Sequence, residues 1–155
     1  MLPSPAKSDA TALPFALTME VRDSCLCLHA QRAARALARR YDRALRPHGL
    51  TNGQFSLLMS LNRPEAPGMS AVAATLGMDR TTLTAMLKPL ARRGLVALSC
   101  DPGDRRSRRV ELTAIGRDLL VAAMPDWRAT QAAVAALVEP TGPVALCADL
   151  RAVAA

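Results

Sequence analysis

The sequence predicts a mainly α-helical fold carrying one small β-hairpin. Three observations carry that prediction. Ala and Leu dominate the composition and the aromatic residues are only Phe15, Tyr41, Phe55 and Trp127, a balance that favours helix over sheet. Several long segments place apolar residues at three- and four-residue intervals. One short segment, Leu95 to Leu112, instead shows two weakly alternating runs around a cluster of turn formers. The chain has 155 residues, half of them apolar, which is room for one packed domain and little more.

The elements follow in order. Residues 1–17 read as a flexible N-terminal arm, since Met1 to Pro14 is rich in Pro, Ser and Ala. A long helix is expected from Thr18 to Leu45, with Leu26, Ala30, Ala33, Leu37, Tyr41 and Ala44 on one face. Arg32, Arg35, Arg39, Arg40 and Arg43 sit around its other sides, and Pro47, His48 and Gly49 end it. Thr51 and Gln54 have capping-box spacing and start a second helix through Phe55, Leu57, Leu58 and Leu61. Arg63 to Gly68, with two prolines, is a loop. Ser70 to Leu76 is a short helix, Gly77 a turn, and Asp79 the N-cap of a helix reaching about Arg93. Gly94 stops that helix. Pro89 should kink its last turn, but Leu83, Met86, Leu87 and Leu90 still form one stripe. Leu95–Ser99 and Arg108–Leu112 are strands joined by Asp101, Pro102, Gly103 and Asp104. Thr113 caps a long final helix that Pro125 should bend or interrupt. Glu139 to Pro143 breaks the chain, and Val144–Val153 is a last helix.

The formal net charge is +7. A surplus of that size implies an anionic partner, nucleic acid first and an anionic membrane second. No apolar run has signal-peptide length near the N-terminus, and none approaches the roughly 18 residues of a membrane span. The four cysteines, Cys25, Cys27, Cys100 and Cys147, are not spaced as a secreted disulfide framework. The expectation is a cytoplasmic protein with reduced thiols, not bound to membrane.

Two short helices around Gly77, followed by a basic hairpin, fit a winged helix-turn-helix whose second helix enters the major groove of double-stranded DNA. Ala73 is small where the helices approach. With the apolar stripe facing inward, Arg80, Thr81, Thr82, Thr84 and Lys88 face outward. Arg can read guanine edges, and Thr can reach phosphate or a thymine methyl. Ser70 belongs to the same surface as a contact of the first short helix. The hairpin adds Arg105, Arg106, Arg108 and Arg109. From Arg80 to Arg109 there are eight basic residues against two acidic ones, so most of the excess charge lies here. An Arg at a hairpin tip can enter a narrow minor groove.

These residues carry a resemblance. Asp104-Arg105-Arg106, five residues, then Leu112-Thr113 resembles the MarR-family wing signature D-x-R-x5-L-T. Gly49-Leu50-Thr51 with Gln54-Phe55, Val72-Ala73 with Leu76-Gly77, and Leu90 with Arg93-Gly94-Leu95-Val96 occupy the family's usual places. The resemblance implies a homodimer in which residues 18–49 form a dimerisation helix, 50–113 the winged DNA-binding domain and 114–155 C-terminal dimerisation helices. It implies that Asp104 braces the wing arginines, that Arg106 enters the minor groove, and that the dimer reads a near-palindrome, usually as a repressor.

The resemblance also bears on control. Cys27 matches the reactive cysteine of the family's organic-hydroperoxide-sensing branch, and Tyr41 a tyrosine that bonds that cysteine from the partner chain. Cys27 and Tyr41 are roughly 21 Å apart along one helix, so only a partner's Tyr41 could reach. Gln31 stands where that branch has a second tyrosine. The alternative is that Cys25 and Cys27 are small buried hydrophobes in a helix interface, and Cys100 and Cys147 read as structural. A small-molecule effector is the other expected signal, with Phe55, Met59 and Trp127 lining its pocket or simply filling the core. Cys25 and His29 share a helix face but Cys27 does not, so no metal site is expected. No cofactor is called for. No catalytic constellation is present, which argues against an enzyme. A non-specific architectural DNA binder remains the rival reading.

Overall fold

The computed structural model describes residues 13–101, 103, 108–139 and 141–154. The chain forms two compact units, Met1–Ala36 and Leu37–Ala155.

The first unit holds α1 (Phe15–Ser24) and the start of α2 (Leu26–Leu45). The single helix expected over Thr18–Leu45 is therefore two. Cys25 between them is extended, with φ −72° and ψ 105°. Ser24 donates its hydroxyl to the Glu20 carbonyl at 2.7 Å, a back-bond of the kind that bends helices. The Cys25 thiol then accepts the Leu28 N–H at 3.4 Å and caps the new helix. No Pro or Gly marks the break, so the apolar period runs through it unseen. Helix also begins within the segment expected as a flexible arm, since Phe15 to Leu17 are helical. Residues 1–12 of that arm lie outside the described residues.

The second unit is built on a leucine core. Leu45, Leu57, Leu58, Leu83, Leu87, Leu90 and Val110 are each at most 2% exposed. After α2 a 3-10 turn, Arg46–His48, leads to α3 (Asn52–Ser60). Both halves of the expected capping box are formed: Gln54 N–H donates to Thr51 Oγ1, and Thr51 N–H to Gln54 Oε1. Then come α4 (Met69–Leu76), α5 (Arg80–Arg92), β1 (Val96–Cys100), β2 (Arg108–Leu112), α6 (Ala114–Ala135) and α7 (Pro143–Val153). The strands pair antiparallel from Val96 with Leu112 to Cys100 with Arg108. A further pairing was not legible in sequence. Gly68 bridges Arg109, and Val110 N–H donates to the Pro67 carbonyl at 3.0 Å, tying the loop before α4 to the hairpin.

The prolines cost less regularity than expected. Pro89 lies inside α5 and Pro125 inside α6 without ending either helix. Each ring removes the N–H that would bond the carbonyl four residues back. Those residues, Ala85 and Val121, are exposed, so water can meet the freed carbonyl. Buried Leu87 and Leu90, and Leu120 and Ala123, hold the two helices against the core. Pro143 instead starts α7, where its missing N–H is harmless.

Cys27, Cys100 and Cys147 are exposed and Cys25 is half-buried, so none is a buried core thiol in this chain. Cys100 ends a strand in which only Val96 is covered. Phe55 and Trp127 stack on each other with ring centroids 6.1 Å apart, while Met59 is exposed. Phe55 is thus part of the core, and Trp127 packs against it from the partly buried side. Among the described residues no single helix is long and apolar enough to cross a membrane.

The junction between hairpin and α6 depends on Gly116. A Cβ there would sit 2.2 Å from the Leu95 carbonyl oxygen and 2.8 Å from Leu112 Cδ1. Thr113 fixes the approach by donating its hydroxyl to the Gly94 carbonyl and accepting the Gly116 N–H. Gly→Ala inside a helix ordinarily gains about 1 kcal/mol. Here overpacking reverses the sign, and Gly116→Ala should destabilise the protein by about 2 kcal/mol. Urea unfolding checks this, and a gain in stability would contradict the packing.

Candidate nucleic-acid interface

The interface is assembled from the α4–α5 corner upward. Gly77 closes α4 in the left-handed conformation, φ 62°, where a side chain would be strained. Its N–H donates to the Ala74 carbonyl and the next N–H, of Met78, to Ala73, so the orphan carbonyls of α4 are met within the turn. Buried Val72 and Ala73 set the close approach of the two helices. Asp79 then caps α5. Its Oδ1 accepts the Thr82 N–H at 2.7 Å, and its Oδ2 the Thr82 hydroxyl at 2.9 Å. The backbone bond first, then the hydroxyl bond, holds the Asp79 carboxyl below its ordinary pKa.

From this cap α5 presents two unlike faces. Leu83, Leu87 and Leu90 are buried and Met86 packs against them, as the stripe predicts. Arg80, Thr81, Thr82, Thr84 and Lys88 are exposed, and Ser70 is exposed in the first turn of α4. A shallow groove runs along the outer face, lined by Arg80, Thr81, Thr84, Ala85, Lys88, Pro89 and Arg92. Arg92 was not singled out in sequence, although it stands one turn after Lys88 on the same face. The helix offers solvent a row of cations with an apolar middle, a surface suited to an anionic, base-bearing ligand.

The far end of α5 is clamped. Arg93 donates to the Gly49 carbonyl at 2.6 Å and the His48 carbonyl at 3.4 Å. The His48 ring in turn pairs with Asp126 of α6, Nε2 to Oδ2, at 2.7 Å. A leucine pattern sets which way α5 faces, but these longer-range bonds fix where its end sits.

The hairpin carries the remaining cations. Arg108 is exposed on β2. Arg109 Nε donates to Asp101 Oδ2 at 2.7 Å near the loop end of the paired strands, and that bond raises the Arg109 pKa above its ordinary value. Asp101 also accepts the Gly103 N–H at 2.8 Å, so one carboxylate both turns the chain and braces β2. Sequence reasoning gave the bracing role to Asp104 and the tip to Arg105 and Arg106. Those three lie outside the described residues; the brace that is described is Asp101.

Tyr41 is buried and its hydroxyl donates to Gln131 Oε1 on α6. Burial first, and coulombic repulsion from Cys147 second, push its pKa up. Cys27 is exposed in the first unit and accepts the Gln31 amide N–H at 3.2 Å. Among the described residues no group of three or more His, Cys, Asp or Glu could hold a metal ion.

Comparison with known proteins places this surface in context. The family model described as MarR family matches residues 50–107. The transcriptional activatory protein BadR of Rhodopseudomonas palustris is 42% identical over 91 residues, 56% of this chain and 52% of that protein. The regulator TtmR of Methylorubrum extorquens is 36% identical over 63% of this chain, so the match spans about half the length of these curated relatives. The M. tuberculosis regulator MosR, solved in complex with DNA, superposes with TM-score 0.76 at 44% identity, covering 84% of this chain and 94% of that one. The transcriptional repressor CouR bound to a 23-mer duplex superposes with TM-score 0.78 at 29% identity, covering 88% and 97%. CouR from Rhodococcus jostii has also been solved with p-coumaroyl-CoA.

The Asp79 cap yields a pH-dependent expectation. Its pKa is lower folded than unfolded, so the ionised cap favours the native state above the unfolded value. That contribution is lost as pH falls through the folded one. The Thr82 amide should be protected from hydrogen exchange at neutral pH and lose protection in acid. Asp79→Ala should remove that protection at every pH; an unchanged exchange rate would rule out the cap.

Proposed function

Since the chain belongs to the MarR family, we propose that it is a sequence-specific DNA-binding transcriptional regulator that binds a near-palindromic operator as a homodimer. The observation that carries this is the exposed Arg80–Thr81–Thr84–Lys88 face on a helix whose other face is locked into the core. Two copies of α5 would enter successive major grooves, with half-sites roughly 34 to 36 Å apart. Arg105, Arg106 and Arg108 of the hairpin would follow the backbone and minor groove alongside, with Asp104 bracing them.

The dimer reading rests on apolar surface that a single chain leaves in water. Leu26, Ala30 and Ala33 are exposed on α2 in the first unit. In the second, Leu137, Val144 and Val153 near the C-terminus are exposed by 63%, 80% and 78%. Residues of this kind are what a second copy would cover. Repression is the proposed sign, as the name of CouR has it, although BadR is named an activator. A cytoplasmic setting is proposed with it.

The proposed signal for release is a small molecule or an oxidant. CouR has been crystallised with p-coumaroyl-CoA, and a small carboxylic or thioester ligand is the first class to try here. A thiol signal has its own support. Cys27 is exposed, and its sulfur accepts the Gln31 amide N–H at 3.2 Å. Tyr41 would take part only across the dimer, and its hydroxyl already has Gln131 as partner.

Selection of bound sites from random duplex DNA tests the reading. A two-fold symmetric motif is expected, and equal affinity for every duplex would favour an architectural role instead. Arg80→Ala should cost about 1 to 3 kcal/mol on the selected site and relax specificity there. Arg106→Ala should weaken binding to all sequences and lower the slope of log affinity against log salt by about one. Titrations at two salt concentrations separate these outcomes. If peroxide releases the DNA, Cys27→Ser should stop it, and release that persists in the variant would exclude the thiol signal.

A further inference from the structure

We propose that Thr84, with Ala85 beside it, reads the 5-methyl group of a thymine in the operator, and that it does so through its own methyl rather than its hydroxyl. This rests on the DNA-binding reading above and names what the middle of that surface recognises.

Three threonines follow the cap of α5 and look interchangeable in sequence. The hydroxyl bonds of two of them, Thr82 and Thr84, differ. Thr82 gives its hydroxyl proton to Asp79 and belongs to the cap. Thr84 gives its hydroxyl proton to the Arg80 carbonyl one turn back, at 2.7 Å. A hydroxyl has one proton to donate, so Thr84 has none left for the O6 or N7 acceptors of a guanine. What it still offers a partner is its methyl and an oxygen that can only accept; of these we assign the reading to the methyl, and Thr84→Val below separates the two.

Its neighbours fit that role. Thr84 and Ala85 line the groove along α5 one turn after Arg80 and one turn before Lys88, with Pro89 and Arg92 following. Cations at the ends can hold phosphates or guanine edges, and the apolar middle meets the one apolar group that the major groove displays, the thymine methyl. Pro89 extends this apolar patch where most residues would set a longer side chain.

The probe is the duplex recovered by selection, together with copies in which each thymine is replaced in turn by deoxyuridine, which removes only the methyl. At one symmetry-related position the replacement should weaken the wild-type protein by about fourfold in one half-site and about fifteenfold in both. Thr84→Val keeps a methyl and lacks the hydroxyl, so it should retain both the affinity and the deoxyuridine penalty. Thr84→Ser keeps the hydroxyl and lacks the methyl, so its deoxyuridine penalty should shrink to the share that Ala85 supplies. Indifference of the wild type to deoxyuridine at every position, loss of the penalty in Thr84→Val, or its undiminished survival in Thr84→Ser would overturn the inference while leaving DNA binding intact. Failure of the selection to enrich any sequence would overturn the binding reading itself.

Discussion

Leu83, Leu87 and Leu90 pin α5 to the core, and the surface argued above depends on that burial. Three fully buried leucines on one stripe leave a helix a single rotational setting, because turning it would place leucine in water and Lys88 or Arg80 in the core. Truncating one of them costs about 2 to 5 kcal/mol in a typical core, so the setting is strongly held. Every exposed group on α5 is exposed because of it. Asp79 at one end and Arg93 at the other then remove the remaining freedom, one by capping and one by clamping.

The same economy governs the hairpin. A two-stranded ribbon is barely stable alone. Here it is attached at two places, where Val96, Val110 and Leu112 bury into the core and where Pro67 and Gly68 pair along the outer edge of β2, and Asp101 holds Arg109 within it near the loop end. Gly116 lets α6 approach the Leu95 carbonyl closely enough to close the junction. The ribbon can therefore carry Arg108, and the basic residues beyond the described strands, without contributing core of its own.

Charge and anchoring are divided between different residues. The guanidinium of Arg93 serves the fold, through Gly49 and His48, and that of Arg109 serves the hairpin. Arg80, Lys88, Arg92 and Arg108 stand on the surface proposed to meet DNA. A count of basic residues between Arg80 and Arg109 does not make that distinction; only partners do. The His48–Asp126 pair adds a tie from the turn after α2 to α6, so the setting of α5 and that of the C-terminal helix share a link.

The sequence by itself determined the helical class, the order of elements, the Thr51, Asp79 and Thr113 caps, the Gly77 turn and the inward stripe of α5. All of these are local: they follow from periods of three and four residues and from side chains bonding backbone within one turn. It also marked the outward residues Arg80, Thr81, Thr84 and Lys88, since those are what the stripe leaves over. Tertiary structure decided the rest. The break at Cys25 carries no breaker residue. Pro89 and Pro125 are tolerated where the residues four back, Ala85 and Val121, are exposed and Leu87, Leu90, Leu120 and Ala123 hold the helices to the core. The Asp101–Arg109 brace, the Gly68–Arg109 bridge and the Arg93 clamp join residues that no local pattern couples. The difference between Thr82 and Thr84, two identical side chains two positions apart, lies in which acceptor each hydroxyl finds once the helix has been capped and packed.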